Sequence, residues 1–228
     1  MATTYDAGWV FICEGSTEKT FYICLLEFLC QKYGVTIQKV ALNDGLDIVH
    51  EIHFPSKVCI IKIYDAGALT NMPKAGKWFE EECVKRYLMK RSLWSVFLCY
   101  DTDGYQQDIT PYYEGDWKAL REKIGKVEQI VDLAAAADIE DVLLTDFDGI
   151  CEYLGIAHQS ASSLSGRKGS SKMKVLFRSY GRAYHKGERA ETLIKALDMQ
   201  KIIDTAVIPL KVIDELFRTN SISENNDI

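Results

Sequence analysis

The sequence lacks several features that define large classes of protein. No stretch approaches the ~18 consecutive apolar residues of a membrane-spanning helix, and the first residues show neither the basic nor the apolar region of a secretory signal. The seven cysteines form no C-x-x-C pair, which argues against a zinc cage or a disulfide framework. We therefore expect a cytoplasmic protein with reduced thiols and no membrane partner.

Positive charge is also lacking overall. A formal net charge of −6 argues against a protein that coats nucleic acid through bulk charge, although it leaves room for a local basic patch. The P-loop pattern is absent near Gly76-Lys77, because Asn71 occupies the place of its first glycine and Trp78 that of its Ser or Thr. Any ATP requirement would therefore involve an ATPase partner chain.

The hydrophobic pattern predicts an α/β fold. Residues 9–13, 58–64 and 96–100 form short, nearly unbroken apolar runs, which are typical of strands covered on both faces in a parallel sheet. A less apolar run at 35–42 indicates a strand nearer an edge. Helical periodicity follows Gly15 and recurs over residues 75–90. Residues 1–135 are thus predicted to form a mostly parallel sheet flanked by helices.

The second half of the chain has a different pattern. Helical periodicity recurs at 142–154, 172–184, 190–197 and 208–217, without a clear strand. We expect a helical C-terminal lobe over residues 136–218, with a loop at 160–171. The polar residues 219–228 are expected to be a disordered tail.

Acidic residues follow three of the predicted strands. Glu14 follows the first run, Asp65 follows the second, and Asp101 and Asp103 follow the third. Because ligands of parallel sheets bind at the carboxyl ends of the strands, these acids are expected to converge. Oxygen ligands without histidine suit Mg²⁺ or Mn²⁺, and such sites support phosphoryl chemistry. If the backbone stays extended, Asp101 and Asp103 point to the same side and can share one ion.

These motifs resemble the Toprim family. The resemblance rests on a hydrophobic strand followed by Glu14-Gly-x-Thr-Glu18, on Phe21-Tyr22 in the next helix, and on a later strand ending in Asp101-x-Asp103. It covers residues 8–130 and is strongest to OLD-like and stand-alone phage-defence Toprim nucleases such as the PARIS-type effector. It implies that Glu14 moves a proton or binds metal, that Asp101 and Asp103 bind Mg²⁺, and, on a weaker match, that Asp65 does too.

A basic segment provides candidate contacts to nucleic acid. Residues 167–189 contain eight Lys or Arg and one acid, so they carry +7 while the rest of the chain carries −13. Residues 174, 178 and 182 recur at helical spacing, and Tyr180, Tyr184 and His185 lie nearby, where they can stack on bases. The candidate binding residues are Arg167, Lys168, Lys172, Lys174, Arg178, Arg182, Lys186 and Arg189.

Further acids and histidines are weaker candidates. Glu140 and Asp141 are more readily explained by a helix start near Asp138 than by catalysis. The same holds for Asp146-x-Asp148, and His50-x-x-His53 has no third ligand for a metal.

The leading hypothesis is a Mg²⁺- or Mn²⁺-dependent endonuclease acting on DNA or RNA, tRNA included, as a toxic effector in antiviral defence. One alternative is a catalytically silent Toprim-fold binding module that acts within a complex with an ATPase partner. Another is a haloacid-dehalogenase-like phosphatase, in which Asp101 would be the nucleophile and Asp103 the acid. Its pattern fits poorly, because its D-x-D belongs after the first strand. A homo-oligomer remains open.

Overall fold

The computed structural model describes residues 5–42, 47–103, 111–158 and 164–222. These residues contain a six-stranded sheet in the order β2-β3-β4-β1-β5-β6. Strands β1, β4, β5 and β6 are parallel, and the β2–β3 hairpin runs antiparallel at one edge. The strands are β1 (Ala7–Cys13), β2 (Thr36–Leu42), β3 (Asp47–His53), β4 (Val58–Asp65), β5 (Trp94–Asp101) and β6 (Gln129–Ala135). The predicted α/β class with a mostly parallel sheet is confirmed.

Helices cover both faces of this sheet. The α-helices are α1 (Ser16–Tyr33), α2 (Ala75–Phe79), α3 (Asp116–Ile124), α4 (Ile139–Leu143), α5 (Phe147–Leu154), α6 (Gly169–Ser179), α7 (Glu191–Ala196), α8 (Met199–Thr205) and α9 (Lys211–Ser221). A π-helical segment, Glu80–Lys85, extends α2, and 3₁₀ turns occur at Leu69–Lys74, Arg91–Leu93, Leu144–Asp146 and Gly187–Ala190.

The unbroken apolar runs are explained by two apolar layers. In β1, Val10 and Ile12 face the layer under α2 and α3, whereas Trp9, Phe11 and Cys13 face the layer under α1. Both sides of the strand are therefore buried, and alternation of polar and apolar residues is lost.

The helices after residue 138 share the apolar layer of α1. The Phe217 ring of α9, for example, lies 5.4 Å from the Trp9 ring of β1. A helical region follows β6 as expected, while a separate lobe over residues 136–218 stays a prediction. Helix α6 begins within the predicted loop at Gly169, and α9 extends to Ser221. The remainder of the predicted tail, residues 223–228, and residues 159–163 of the loop lie outside the described residues.

Two further expectations concern cysteine chemistry and membranes. All seven cysteines are buried thiols, in agreement with the absence of a disulfide framework. Within the described ranges, no helix combines the length and apolar character needed to cross a bilayer.

Candidate active site at the carboxyl ends of the strands

The parallel strands bring Glu14 and Asp101 together. Cys13, the last residue of β1, pairs with Asp65 of β4 on one side and with Cys99 of β5 on the other. The next residue, Glu14, donates its N–H to the Cys99 carbonyl at 2.9 Å. Its carboxylate turns toward β5, where Oε2 accepts the Asp101 N–H at 3.0 Å. Two of the predicted site residues therefore meet at the carboxyl rim, the edge formed by the ends of these strands.

Three further carboxylates surround this pair. Glu18 in the first turn of α1, Asp138 at the start of α4, and Glu140 within α4 are all buried, and Glu140 is 0% exposed. We call Glu14, Glu18, Asp101, Asp138 and Glu140 the acidic cluster. Members come from both halves of the chain, so the site extends beyond the motifs of residues 8–130.

Burial and mutual repulsion shift the proton affinities in the acidic cluster. Burial raises the pKa of Asp101 to about 9, assisted by the charges of Glu18 and Glu14. Burial also raises the pKa of Glu18 to about 7, with Glu14 and Glu140 adding to the effect. The pKa of Glu14 is raised by burial as well, although the Asp101 N–H opposes the shift. Perturbed carboxyl groups at the ends of parallel strands are typical of functional sites.

Asp101 has an oxygen that needs a partner. Its Oδ1 is buried and accepts no hydrogen bond from the described residues. A buried acceptor without a donor is costly, and a cation would both satisfy it and offset the repulsion from neighbouring acids. The donor chemistry at Glu14 and Asp101 therefore fits a hard divalent cation.

Asp103 does not lie where an extended D-x-D would place it. Strand β5 ends at Asp101, and Asp103 has a φ of 58°, in the left-handed region. The alternation of side chains therefore stops at Asp101, and the expectation that both aspartates point to the same side through an extended backbone is wrong. The Asp103 carboxylate instead binds the Lys168 ammonium. Its negative charge still contributes to raising the pKa of Glu14.

Asp65 is exposed at the end of β4. Its Oδ1 accepts the Gly67 N–H at 2.9 Å, which closes a turn of the kind that aspartate commonly forms. The side chain borders a groove beside the acidic cluster together with Ser16 and Lys19. A metal-binding role for Asp65 stays a prediction.

The geometry as a whole is not that of a closed metal centre. Across the described residues, no three His, Cys, Asp or Glu side chains are positioned to hold one ion together. Lys168 engages Asp103, and the Asp101 N–H engages Glu14. The chemistry of Glu14 and Asp101 suits a cation, but Asp103, another predicted ligand, is directed to the Lys168 ammonium.

The basic segment lies against acidic residues of both halves of the chain. Lys168 binds Asp103, Lys172 lies 3.1 Å from Asp141, and Lys186 lies 2.8 Å from Glu140. These three candidates for nucleic-acid binding are thus directed to carboxylates. The five others are exposed to solvent: Arg167, Lys174, Arg178, Arg182 and Arg189.

The predicted helical row of basic residues is shorter than expected. Lys174 and Arg178 belong to α6, which ends at Ser179. Arg182 follows Gly181, whose φ is 67°, and donates to the Tyr153 carbonyl at 3.3 Å. Arg182 is therefore not on the same helical face, because the left-handed glycine turns the chain after α6.

The aromatic neighbours of the basic segment differ in accessibility. Tyr180 is 47% exposed, and His185 is exposed as well. Tyr184 is partly buried and donates its hydroxyl to Glu140 at 3.1 Å. Stacking on bases is therefore open to Tyr180 and His185, whereas the hydroxyl of Tyr184 is directed to the acidic cluster.

The two weaker acidic candidates separate into different environments. Asp141 accepts the Gly169 N–H at 2.9 Å and so anchors the start of α6, in addition to its contact with Lys172. Glu140 joins the acidic cluster and contacts Tyr184 and Lys186. Asp138 also caps α4, as predicted, by accepting the Asp141 N–H.

The remaining motifs have structural roles. Asp146 caps α5 and contacts Lys201 at 3.0 Å. His50 and His53 lie on β3. Sequence reasoning missed Glu18 and Asp138 as members of the acidic cluster. The spacing of Glu14 and Glu18 across the strand–helix junction is the signal that could have identified the former.

Comparisons with known proteins add no evidence on the function of this site. No family model matches the chain, and no curated protein matches its sequence.

Proposed function

We propose that this protein is a metal-dependent nuclease that hydrolyses phosphodiester bonds of DNA or RNA. The observation that supports it most is Asp101, whose buried Oδ1 has no hydrogen-bond donor among the described residues and whose pKa is raised to about 9 beside Glu14. Such a site gains free energy when a divalent cation replaces the proton. The neighbouring basic segment carries positive charge, which is needed to bind a negatively charged phosphate backbone.

In this proposal Glu14 and Asp101 would hold Mg²⁺ or Mn²⁺. The ion, when bound, supplies polarisation of the phosphate and activation of a water molecule. The residues of the chain have complementary tasks. The Asp101 N–H fixes the Glu14 carboxylate at the rim, and Glu18, with a pKa of about 7 in the absence of cations, is able to take up or release a proton near neutral pH.

The basic segment would hold the substrate strand. Arg167, Lys174, Arg178 and Arg189 are exposed and can contact phosphates directly. Lys168 would contribute after it leaves Asp103, which would free that carboxylate for the cation. The tRNA substrate, the role as a defence effector and the ATPase partner rest on the Toprim resemblance alone.

The test is a cleavage assay with DNA, RNA and tRNA in Mg²⁺ or Mn²⁺. We expect Glu14→Gln and Asp101→Asn each to lower cleavage at least 100-fold, since both remove charge from the acidic cluster. Glu27→Gln is a matched control, because Glu27 lies on α1 near Lys195, at 2.9 Å, and is not a member of the acidic cluster. Cleavage that survives Glu14→Gln at the level of this control would contradict the proposal.

The contact between Lys168 and Asp103 favours a second candidate, a binding module without catalysis. An ammonium at the D-x-D can neutralise the site in place of a metal ion. Titration calorimetry separates the two candidates. Absence of Mg²⁺ binding, together with retained nucleic-acid binding, would favour the silent module.

A further inference from the structure

A groove of about 510 Å³ borders the acidic cluster. Its walls are Ser16 and Lys19 at the start of α1, Asp65 at the end of β4, and the chain from Tyr184 to Arg189. The groove contains the cationic side chains of Lys19, Lys186 and Arg189 against the two acids Asp65 and Glu188. It is therefore an open groove with a positive balance of charge, next to the residues proposed to cleave a phosphodiester.

Lys186 is the cation of this groove that the protein holds in place. Its Nζ lies 2.8 Å from Oε1 of Glu140, and the Tyr184 hydroxyl donates to the same oxygen at 3.1 Å. Glu140 is 0% exposed, while about half of the Lys186 side chain, 49%, faces solvent. One side of the ammonium group is thus fixed by a buried carboxylate, and its other donors are open to the groove.

The position of Lys186 lies between the groove and the acidic cluster. Its positive charge acts to lower the pKa values of both Glu14 and Glu18, which places it close to the proposed reaction centre. The next residue, Gly187, donates its N–H to Thr17 Oγ1 of α1 at 3.0 Å. The chain around Lys186 is therefore tied to the same helix that begins at the acidic cluster.

Burial of Glu140 costs free energy, which a role in stability alone does not explain. Its Oε2 is buried and has no hydrogen-bond partner within the described residues. A buried ion pair often contributes little to stability, and a half-satisfied one contributes less. The arrangement does, however, order a lysine side chain that would otherwise sample many rotamers. Ordering a binding group before the ligand arrives increases affinity and rate.

We propose that Lys186 is the fixed phosphate-binding cation of the groove and that buried Glu140 is the positioning residue that holds it there. The ligand class is a phosphodiester of a nucleic-acid strand that passes through the groove beside Glu14. This inference deepens the proposed nuclease function and rests on it for the identity of the strand. The C-terminal half thereby supplies part of the substrate site.

The first experiment compares Glu140→Gln with Asp146→Asn in cleavage and in thermal unfolding. Asp146 is a matched control, because it is also a buried carboxylate paired with a lysine, Lys201 at 3.0 Å, but borders neither groove nor cluster. We expect both variants to lower Tm, and only Glu140→Gln to lower kcat/KM, by at least 10-fold. An equal effect of the two variants on kcat/KM would overturn the proposal.

A double-mutant cycle tests whether Glu140 acts through Lys186. Lys186→Met is expected to lower kcat/KM at least 10-fold, and Glu140→Gln is expected to cause little further loss in that background. Independent, multiplying losses would overturn the positioning role.

A third experiment does not depend on cleavage or on the folding of Glu140→Gln. The affinity for a fluorescein-labelled RNA oligonucleotide, measured by anisotropy, should fall at least 5-fold more in Lys186→Met than in Lys118→Met, which removes an exposed lysine of α3 on the other face of the sheet. Equal losses would overturn the proposal even if the protein cleaves nucleic acid. Conversely, if Lys186→Met shows the larger loss of affinity but the protein cleaves no nucleic acid, the result would support the binding site and contradict the nuclease function.

Discussion

At the scale of single residues, Asp101 combines burial, repulsion and an unsatisfied oxygen. Its pKa of about 9 means that the folded protein keeps it protonated at neutral pH when no cation is present. An unfolded chain would ionise it near its ordinary value of ~3.9. Folding therefore stores a proton at the carboxyl rim, and the free energy of unfolding must depend on pH between these two values.

The sign of that dependence is a testable prediction. Between about pH 4 and pH 9 the unfolded state binds fewer protons than the folded state, so Asp101 costs stability as the pH rises, at most about 1.4 kcal/mol per unit. We expect Asp101→Asn to raise Tm relative to the unsubstituted protein, and to do so more at pH 8 than at pH 5. Thermal unfolding in EDTA at each pH measures this difference. A difference that shrinks as the pH rises would contradict the pKa.

The same proton should be released when a cation binds. If Mg²⁺ is held by Glu14 and Asp101, the ion replaces the proton of Asp101, because both cannot be bound to the same carboxylate. Calorimetric titration with Mg²⁺ at pH 7 in buffers of different ionisation enthalpy should show release of about one proton per ion. Asp101→Asn should abolish the release. Binding with no buffer dependence would place the ion elsewhere.

At the scale of secondary-structure elements, the 3₁₀ turn Gly187–Ala190 packs the end of the basic segment against α1. Gly187 has a φ of 64°, and a Cβ at this position would lie 2.7 Å from Ser16 Oγ. Gly67 has a similar φ of 73°, but a Cβ there would meet nothing within 4 Å. Comparing substitutions at the two glycines therefore separates the effect of backbone strain from the effect of close packing.

We expect Gly187→Ala to destabilise the protein more than Gly67→Ala. Both substitutions incur about 1 kcal/mol from the left-handed backbone, and only the first also forces the Ser16 side chain of α1 to move. Because the turn positions Lys186, Gly187→Ala should also weaken oligonucleotide binding. Chemical denaturation and fluorescence anisotropy check the two effects. Equal unfolding free energies for the two variants would contradict the close approach to Ser16.

Some elements could be predicted from the sequence, and others could not, for identifiable reasons. The strands β1, β4 and β5 are apolar on both faces and were predictable, as was α1. Strand β3 contains Glu51 and two histidines, and β6 contains Asp132, which are unusual in strands. The Asp132 carboxylate is satisfied by Arg121 at 2.6 Å, a tertiary contact that no local pattern reveals.

The site shows the same division between local and long-range information. The meeting of Glu14 and Asp101 follows from parallel strands that end at one rim, so the sequence pattern was sufficient to predict it. The direction of Asp103 depends on its φ of 58° and on Lys168, 65 residues away, and neither is encoded in the spacing of D-x-D. The inclusion of Glu140 likewise depends on how α4 packs after β6.

At the scale of the whole molecule, charge is distributed unevenly along the chain. The basic segment carries +7 within a protein of net charge −6. Three of its lysines bind Asp103, Asp141 and Glu140, so the charge available to a ligand is smaller than the sequence count. The exposed arginines and Lys174 should therefore dominate long-range attraction of a phosphate backbone.

Salt dependence provides the test at this scale. Replacement of Arg167, Lys174, Arg178 and Arg189 by Gln should reduce the slope of log K against log salt by about 0.7 for each phosphate of a single strand that the protein no longer neutralises, or roughly 3 in total. A control variant replaces four exposed lysines in and around α2 and α3, on the opposite face of the sheet: Lys77, Lys85, Lys118 and Lys126. Both variants change the net charge equally. If phosphate binding is local to the basic segment, only the first variant changes the slope, whereas equal changes would show that net charge alone governs binding.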